Sequence, residues 1–248
     1  MGAKTPRMMY RLGKLLLWLI ALWFAVTLSV VFVLRWLDPP TSSFMVRARL
    51  NAWHADDTAF RFQHEWVDEN RISSNLKLAV IASEDQLFAA HWGFDVKSIN
   101  QAWEERQRGK RVRGASTLSQ QVAKNLFLWP GQSWIRKGIE SYFTVLIEAM
   151  WPKQRILEVY LNIAEFGKGI YGAEAAAKRF FRTSAARLSA PDAALLAAVL
   201  PNPIRLKVAA PSRYVRSRQQ WILRQMRALG GSGYLKQFEE ESVRAQSR

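Results

Sequence analysis

The chain has 248 residues, of which 36 are Lys or Arg and 20 are Asp or Glu, a formal net charge of +16. Hydrophobic residues make up 49% of it, enough for a real core and too many for a chain disordered throughout. The absence of cysteine excludes disulfide frameworks, thiolate metal sites and a Cys nucleophile, the three histidines argue against a multi-His metal centre, and the charge asks for an anionic partner.

Leu15 to Leu34 run without a charge, a Pro or a Gly. A helix of that length spans roughly 30 Å, the hydrocarbon thickness of a bilayer. Tyr10, Trp18 and Trp36 lie near its ends, as interfacial aromatics do, and Lys4, Arg7, Arg11 and Lys14 precede it with no acid. The positive-inside rule then predicts a cytoplasmic tail over 1–14, a transmembrane helix over 15–34 and an extracytoplasmic domain over 36–248. A cleavable signal peptide carries an apolar stretch of about 7–15 residues and a small-x-small site. Here the run is longer and Arg35-Trp36-Leu37-Asp38-Pro39-Pro40 follows, which favours an uncleaved anchor. Residues 1–35 hold five basic residues and no acid, so the rest keeps 31 basic against 20 acidic residues, net +11. A basic domain outside the cytoplasm makes nucleic acid an awkward partner and anionic lipid, or a phosphate-bearing lipid, a natural one.

Beyond the anchor, strand signals are scarce and helical ones dominate, which predicts one mainly α domain. Residues 36–70 fit no single pattern, although Ala59 to Val67 suits a short strand. Helices are expected over Asn75 to Ala90, over Asp95 to Arg108 with Ile99 and Trp103 on one face, from a Ser116 N-cap to Leu126, and from a Ser133 cap to Trp151. Pro152 then opens Lys153 to Ala164 from a first-turn position. Ala173 to Phe181, Pro191 to Leu200 and a basic helix over Ser212 to Leu229 complete the series, before the break Gly230-Gly231-Ser232-Gly233.

Two segments look costly as plain scaffold. The first places Glu84 and Asp85 at the end of an apolar helix. An acid there must be paired or shifted in pKa, which suits a general base or acid, although a salt-bridged helix-end Glu84 explains the same residues. Nearby, His91 suits a structural hydrogen bond and Gly93 a turn. The second runs from Arg113 to Asn125. On a helix starting at Ser116, Thr117, Gln120, Gln121 and Lys124 share one face, whose hydroxyl, amides and ammonium suit a sugar phosphate beside a positive helix N-terminus, or else simply meet solvent.

The next helix carries Arg136, Lys137 and Glu140, with Ile135, Ile139, Tyr142, Phe143, Leu146, Ile147 and Met150 as the expected buried stripe. The three charges form intrahelical ion pairs or, in the sharper reading, a second carboxylate among cations that hold a leaving phosphate. The apolar loop Phe127 to Trp134 suits a membrane-dipping surface and buried packing equally. Arg213, Arg216, Arg218, Arg224 and Arg227, along the last helix, are assigned to an anionic lipid surface.

Five motifs in order carry a resemblance. They are Glu84-Asp85-x-x-Phe88-x-x-His91-x-Gly93-x-Asp95; Gly114-Ala115-Ser116-Thr117-x-x-Gln120-Gln121-x-x-Lys124-Asn125; Arg136-Lys137-x-x-Glu140; Lys153-x-x-Ile156-x-Glu158-x-Tyr160-Leu161-Asn162; and Gly167-x-Gly169-x-Tyr171-Gly172-x-x-x-Ala176-Ala177. With the anchor in front, the chain resembles the bacterial peptidoglycan glycosyltransferases of the lysozyme-like family 51, in particular the monofunctional biosynthetic ones. The motifs cover about residues 75–181, and Leu200-Pro201-Asn202-Pro203 extends the match.

The resemblance implies a transmembrane helix followed by a lysozyme-like helical domain with a smaller membrane-proximal lobe, anchored in the bacterial inner membrane with its catalytic domain in the periplasm. It implies polymerisation of lipid II onto a growing glycan strand, with inversion and release of undecaprenyl diphosphate. Glu84 is then the general base and Glu140 the second carboxylate, while Lys124, Arg136 and Lys137 fall on diphosphate-binding positions. Ser116, Thr117, Gln120, Gln121 and Asn125 complete the expected substrate contacts. No organic cofactor is implied; a divalent cation, Mg or Mn, would sit near Glu84 and Asp85. Cell-wall synthesis proteins are the expected protein partners, and nucleic acid is not expected. A Ser74-x-x-Lys77 match to the penicillin-binding signature stands without KTG or SDN, and reads as chance. A lytic enzyme with a single acid, and a non-enzymatic binder of anionic lipid or nucleic acid, are the competing readings; the first has no diphosphate for the cations to hold, and the second has no need of Glu84.

Overall fold

A computed structural model describes residues 5–108, 116–231, 233–235 and 238. The chain divides at the residue before Asp38 into two units, Met1–Leu37 and Asp38–Arg248. The first is helix α1 (Thr5–Val33), of which Met9–Val33 is long and apolar enough to cross a membrane. It starts ahead of the charge-free run because Pro6 falls in the first turn, where its missing N–H costs no helical bond, and the single Gly13 is not enough to stop the helix. Its apolar side chains stand open rather than in a core, Leu17 and Trp18 among them.

The second unit is built from helices α2 (Ser43–His54), α3 (Ser74–Glu84), α4 (Val96–Gln107), α5 (Leu118–Phe127), α6 (Trp134–Met150), α7 (Lys153–Ile163), α8 (Ala173–Phe181), α9 (Ala190–Val199) and α10 (Arg213–Ala228). Three short strands join them: β1 (Gln63–His64), β2 (Glu165–Gly167) and β3 (Ile170–Tyr171). Their order is β1-β3-β2, with β1 parallel and β2 antiparallel to β3. The expected strand within Ala59 to Val67 is therefore present, and the segment before it holds α2, whose polar and basic positions hid the helical period. The side chains of Ile99 and Trp103, and the Arg113-Gly114-Ala115 part of the second motif, lie outside the described residues.

Two helix groups make the core. In one, α9 packs against both α3 and α10, which also touch each other. Leu76 to Ala82 of α3 are buried on every side, as are Ala193, Ala194 and Leu196 to Val199 of α9. An apolar helix without a polar face belongs in such an interior, and the alanines of α9 let its neighbours approach closely. In the other group α5 packs against α2, α6 and α7.

Several motif residues turn out to hold these groups together. Asn162 Nδ2 donates to Val67 O, and Asn162 Oδ1 accepts from Val67 N–H, clamping the chain ahead of α3 onto α7. Glu158 accepts from Glu69 N–H and from Arg155. Lys77 is buried against Glu69, which gives the Ser74-x-x-Lys77 match a structural role. Gly172 sits at φ +86, where a Cβ would stand 2.8 Å from Asn162 O, so the start of α8 requires glycine.

Candidate active site

The α3 helix ends at Glu84 rather than at Ala90. Asp85 leaves the helical region, at φ −160 and ψ 77, because its carboxylate has better partners elsewhere. His91 Nε2 donates to it at 2.8 Å, and Leu118 N–H, in the first turn of α5, donates at 2.9 Å. A carboxylate at a helix N-terminus also meets the positive end of the helix dipole. Asp85 thereby joins α3, the following loop and α5, and it leaves Glu84 as the last helical side chain, facing a cleft.

Beneath this joint lies a buried polar layer. Lys153 Nζ donates to His91 O at 2.7 Å and pairs with Glu148 at 2.7 Å, while Ser119 donates to Glu148. Burial pulls the Lys153 ammonium below its ordinary value, and Glu148 works against that shift. Gly93 passes over this layer at φ +76, and a Cβ there would come within 2.7 Å of Thr144 and 2.9 Å of Glu148.

The α5 cap departs from the sequence expectation. Thr117, not Ser116, is the N-cap; its Oγ1 accepts from Gln120 N–H, and the Gln120 side chain returns a bond to Thr117 N–H. Thr117 Oγ1 also donates to Gly93 O at 2.7 Å. Thr117 and Gln120 are buried in this capping box, so they position the helix and do not share a ligand face with Gln121 and Lys124. The cap lies one residue later than expected, at Thr117. Ser116 stays exposed at the wall of the cleft.

The cleft encloses about 530 Å³ and is lined by Glu84, Asp95, Lys97, Glu105, Ser116 and Trp221 among others. Only 13% of the Glu84 side chain is exposed. Burial raises its carboxyl above the usual carboxylate range, while Gln121, Arg218 and Lys124 oppose the rise. Gln121 Nε2 donates to Glu84 Oε2 at 3.1 Å. Tyr160 OH donates to Gln121 Oε1 at 3.3 Å, which sets the orientation of that amide. Tyr160 is fully buried, and burial followed by the nearby Glu84 charge keeps it a neutral phenol.

Arg218 of α10 places Nη2 3.5 Å from Glu84 Oε1. This corrects its assignment to a lipid-facing stripe: the α10 face that packs on α3 and α9 brings Arg218 inward. Tyr160 and Arg218 are the two site residues that sequence reasoning missed. Tyr160 stood inside a motif without a role, and Arg218 was one arginine among many.

On the other side of α5, Lys124 lies between two carboxylates. Burial lowers its ammonium below the ordinary value; Glu140 raises it, Arg136 and Lys137 lower it, and Glu84 raises it. Among the described residues Lys124 Nζ forms no hydrogen bond or ion pair, and it lies 6.0 Å from the Phe44 ring centroid. Asn125 and Gln121 line, with Lys124, a second cavity of about 150 Å³ closed by Phe44, Tyr160, Glu165 and Tyr171.

The inward face of α6 is Arg136, Glu140, Phe143, Thr144 and Ile147, whereas Ile135 is 76% exposed. The expected apolar stripe is thus turned: its first residue points out, and the charged pair points in. Arg136 Nη1 donates to Glu140 Oε2 at 2.6 Å and Lys137 Nζ donates to Oε1, so the pair enters the interior nearly neutralised. Arg136 Nε is buried without a partner among the described residues. In the segment Phe127 to Trp134, Leu128 is buried and Trp134, the first residue of α6, is 92% exposed, so that segment divides between packing and surface.

The residues near Glu84 do not form a metal cage. Both Asp85 oxygens are engaged by His91 and Leu118 N–H, and no three His, Asp or Glu side chains gather at a metal-binding spacing among the described residues.

A family model described as Transglycosylase matches residues 54–227, which include both carboxylates, the α5 face and Arg218. A biosynthetic peptidoglycan transglycosylase of Stutzerimonas stutzeri is 55% identical over 232 residues, 94% of each chain. Proteins of the same description from Pseudomonas entomophila and Cronobacter sakazakii are 54% and 52% identical, over 88% and 92% of this chain. A family model spanning most of the chain, with relatives above half identity along nearly its whole length, establishes that the chain belongs to the transglycosylase family.

Proposed function

We propose that this protein is a peptidoglycan transglycosylase that polymerises lipid II in cell-wall synthesis, with Glu84 as general base. The observation that carries the reading is the desolvated, unpaired Lys124, set between Glu84 and the Arg136/Lys137/Glu140 cluster. A glycosidase protonates its leaving group with an acid. A diphosphate leaves as a stable anion, so fixed cations can take over most of that task.

In the proposed step Glu84 takes the proton from the 4-hydroxyl of the acceptor disaccharide in the 530 Å³ cleft. That oxygen forms a bond to the anomeric carbon of the growing strand, and the bond from that carbon to the diphosphate oxygen breaks with inversion. The electron pair leaves with undecaprenyl diphosphate, held by Lys124, Arg136 and Lys137. Glu140 keeps the two α6 cations in place, and Asn125 faces the donor sugar from the 150 Å³ cavity.

The same reading places α1 across the bacterial inner membrane, residues 1–14 in the cytoplasm and the second unit in the periplasm, where the substrate's lipid would bring it to the bilayer surface. Purified full-length protein in detergent, given lipid II, should make glycan polymer. Glu84→Gln should reduce the rate by more than about a hundredfold, the scale of lost general-base catalysis, with folding intact; full activity in that variant would sink the mechanism.

A further inference from the structure

The Glu84 carboxylate is held from two helices. Gln121 of α5 donates to Oε2, and Arg218 of α10 faces Oε1. The geometry points to Arg218 as a positioning residue for Glu84: a cation delivered by α10 that fixes the orientation of this carboxylate and keeps it charged inside the cleft. The inference rests on Glu84 being the base, but the contact itself does not.

Three observations support it. The first is that Arg218 has no competing acid among the described residues, since Glu84 is the single carboxylate its guanidinium reaches. The second is burial of the guanidinium: 23% of the side chain is exposed, and its Nε is buried without a hydrogen-bond partner among the described residues. A surface arginine placed for solubility would not leave a donor unsatisfied. The third is a fixed approach. The guanidinium carbon sits 5.9 Å from the Trp221 ring centroid on the same helix, and α10 is packed on α3, the helix that ends in Glu84.

Among the described residues, Gln121 and Lys124 of α5, Tyr160 of α7, Asp85 just past the end of α3 and Arg218 of α10 act on Glu84, while Asp95, Lys97 and Glu105 share the walls of its cleft. Lys124 is claimed by Glu140 as well as Glu84, and in the proposed reaction by the diphosphate. Arg218 has no such second claim, so it can hold the base while the leaving group comes and goes. An opposite charge this close to a mostly buried acid shifts its titration downward by about one pH unit or more.

The test uses full-length protein in detergent micelles. Arg218→Gln should move the acidic limb of the kcat–pH profile upward by about one pH unit, cut kcat about tenfold on that limb, and leave the alkaline plateau close to wild type. Arg218→Lys should restore the limb. A 13C NMR titration of the Glu84 carboxyl reads the same contact without turnover and should show the same upward shift in Arg218→Gln. An equal loss at every pH, with no rescue by Lys and an unmoved Glu84 titration, would overturn the inference and leave Arg218 as a brace for α10. If Glu84→Gln is fully active, the base assignment fails while the NMR titration still decides whether Arg218 controls that carboxyl.

Discussion

An ionised Glu84 is costly to the fold. Burial raises its carboxyl, so the folded state holds that proton more tightly than the unfolded chain does. At pH values below the unfolded carboxylate range the group is protonated in both states and costs nothing. As pH rises through that range toward the raised folded value, ionising the buried group draws down stability. Glu84→Gln should therefore be more stable than wild type at neutral pH, by about 1 kcal/mol, while losing activity; a lower melting temperature for this variant would contradict the account. The activity of the wild type should fall on acidification through a value above that of an ordinary glutamate, and a kcat–pH profile measures this. Lys124→Met tests the other half of the site: it removes a half-buried cation whose ammonium makes no hydrogen bond or ion pair among the described residues, so it should leave the melting temperature unchanged or raised while weakening lipid II turnover by about a hundredfold or more.

Among the helices, α5 repays attention, because its cap and its ligand face are made by alternating residues of one motif. Thr117 and Gln120 close the capping box and tie it to Gly93, which leaves Gln121 and Lys124 on the Glu84 side. Thr117→Ala should cost about 1–2 kcal/mol in stability and slow turnover by displacing Gln121, and Thr117→Ser should restore both; urea denaturation beside a polymerisation assay separates the two effects. Ser133 caps α6 as its sequence predicts, and α8 keeps its expected bounds. The α6 stripe shows where periodicity fails. Counting apolar residues placed Ile135 inside, but a neutralised Arg136–Glu140 pair can be buried, and it goes inward on the face that also buries Phe143 and Ile147. Gly93 marks a similar limit: its sequence context suggests a turn, and only the packing of Thr144 and Glu148 against it shows that Gly93→Ala should destabilise the protein by about 1–3 kcal/mol.

For the whole molecule, the separate core of Asp38–Arg248 predicts that removing residues 1–37 leaves a domain with its own cooperative thermal transition. A domain of net +11 should also bind vesicles containing phosphatidylglycerol and release them as salt rises, whereas neutral phosphatidylcholine vesicles should bind less; sedimentation measures both.

What the sequence by itself determined is local: the apolar span of α1, the helical class, the cap of α6, the bounds of α8, and the motifs that name Glu84, Lys124, Arg136, Lys137 and Glu140. These follow from periodicity, capping chemistry and spacing, which act over a few residues. The tertiary structure decided what needs long-range closure. Asp85 ends α3 because α5, far along the chain, offers it a helix N-terminus. Tyr160 orients Gln121 from α7, and Arg218 reaches Glu84 across 134 residues. No local pattern could single out that arginine among its neighbours, because its role comes from the packing of α10 on α3 and α9, not from its own segment.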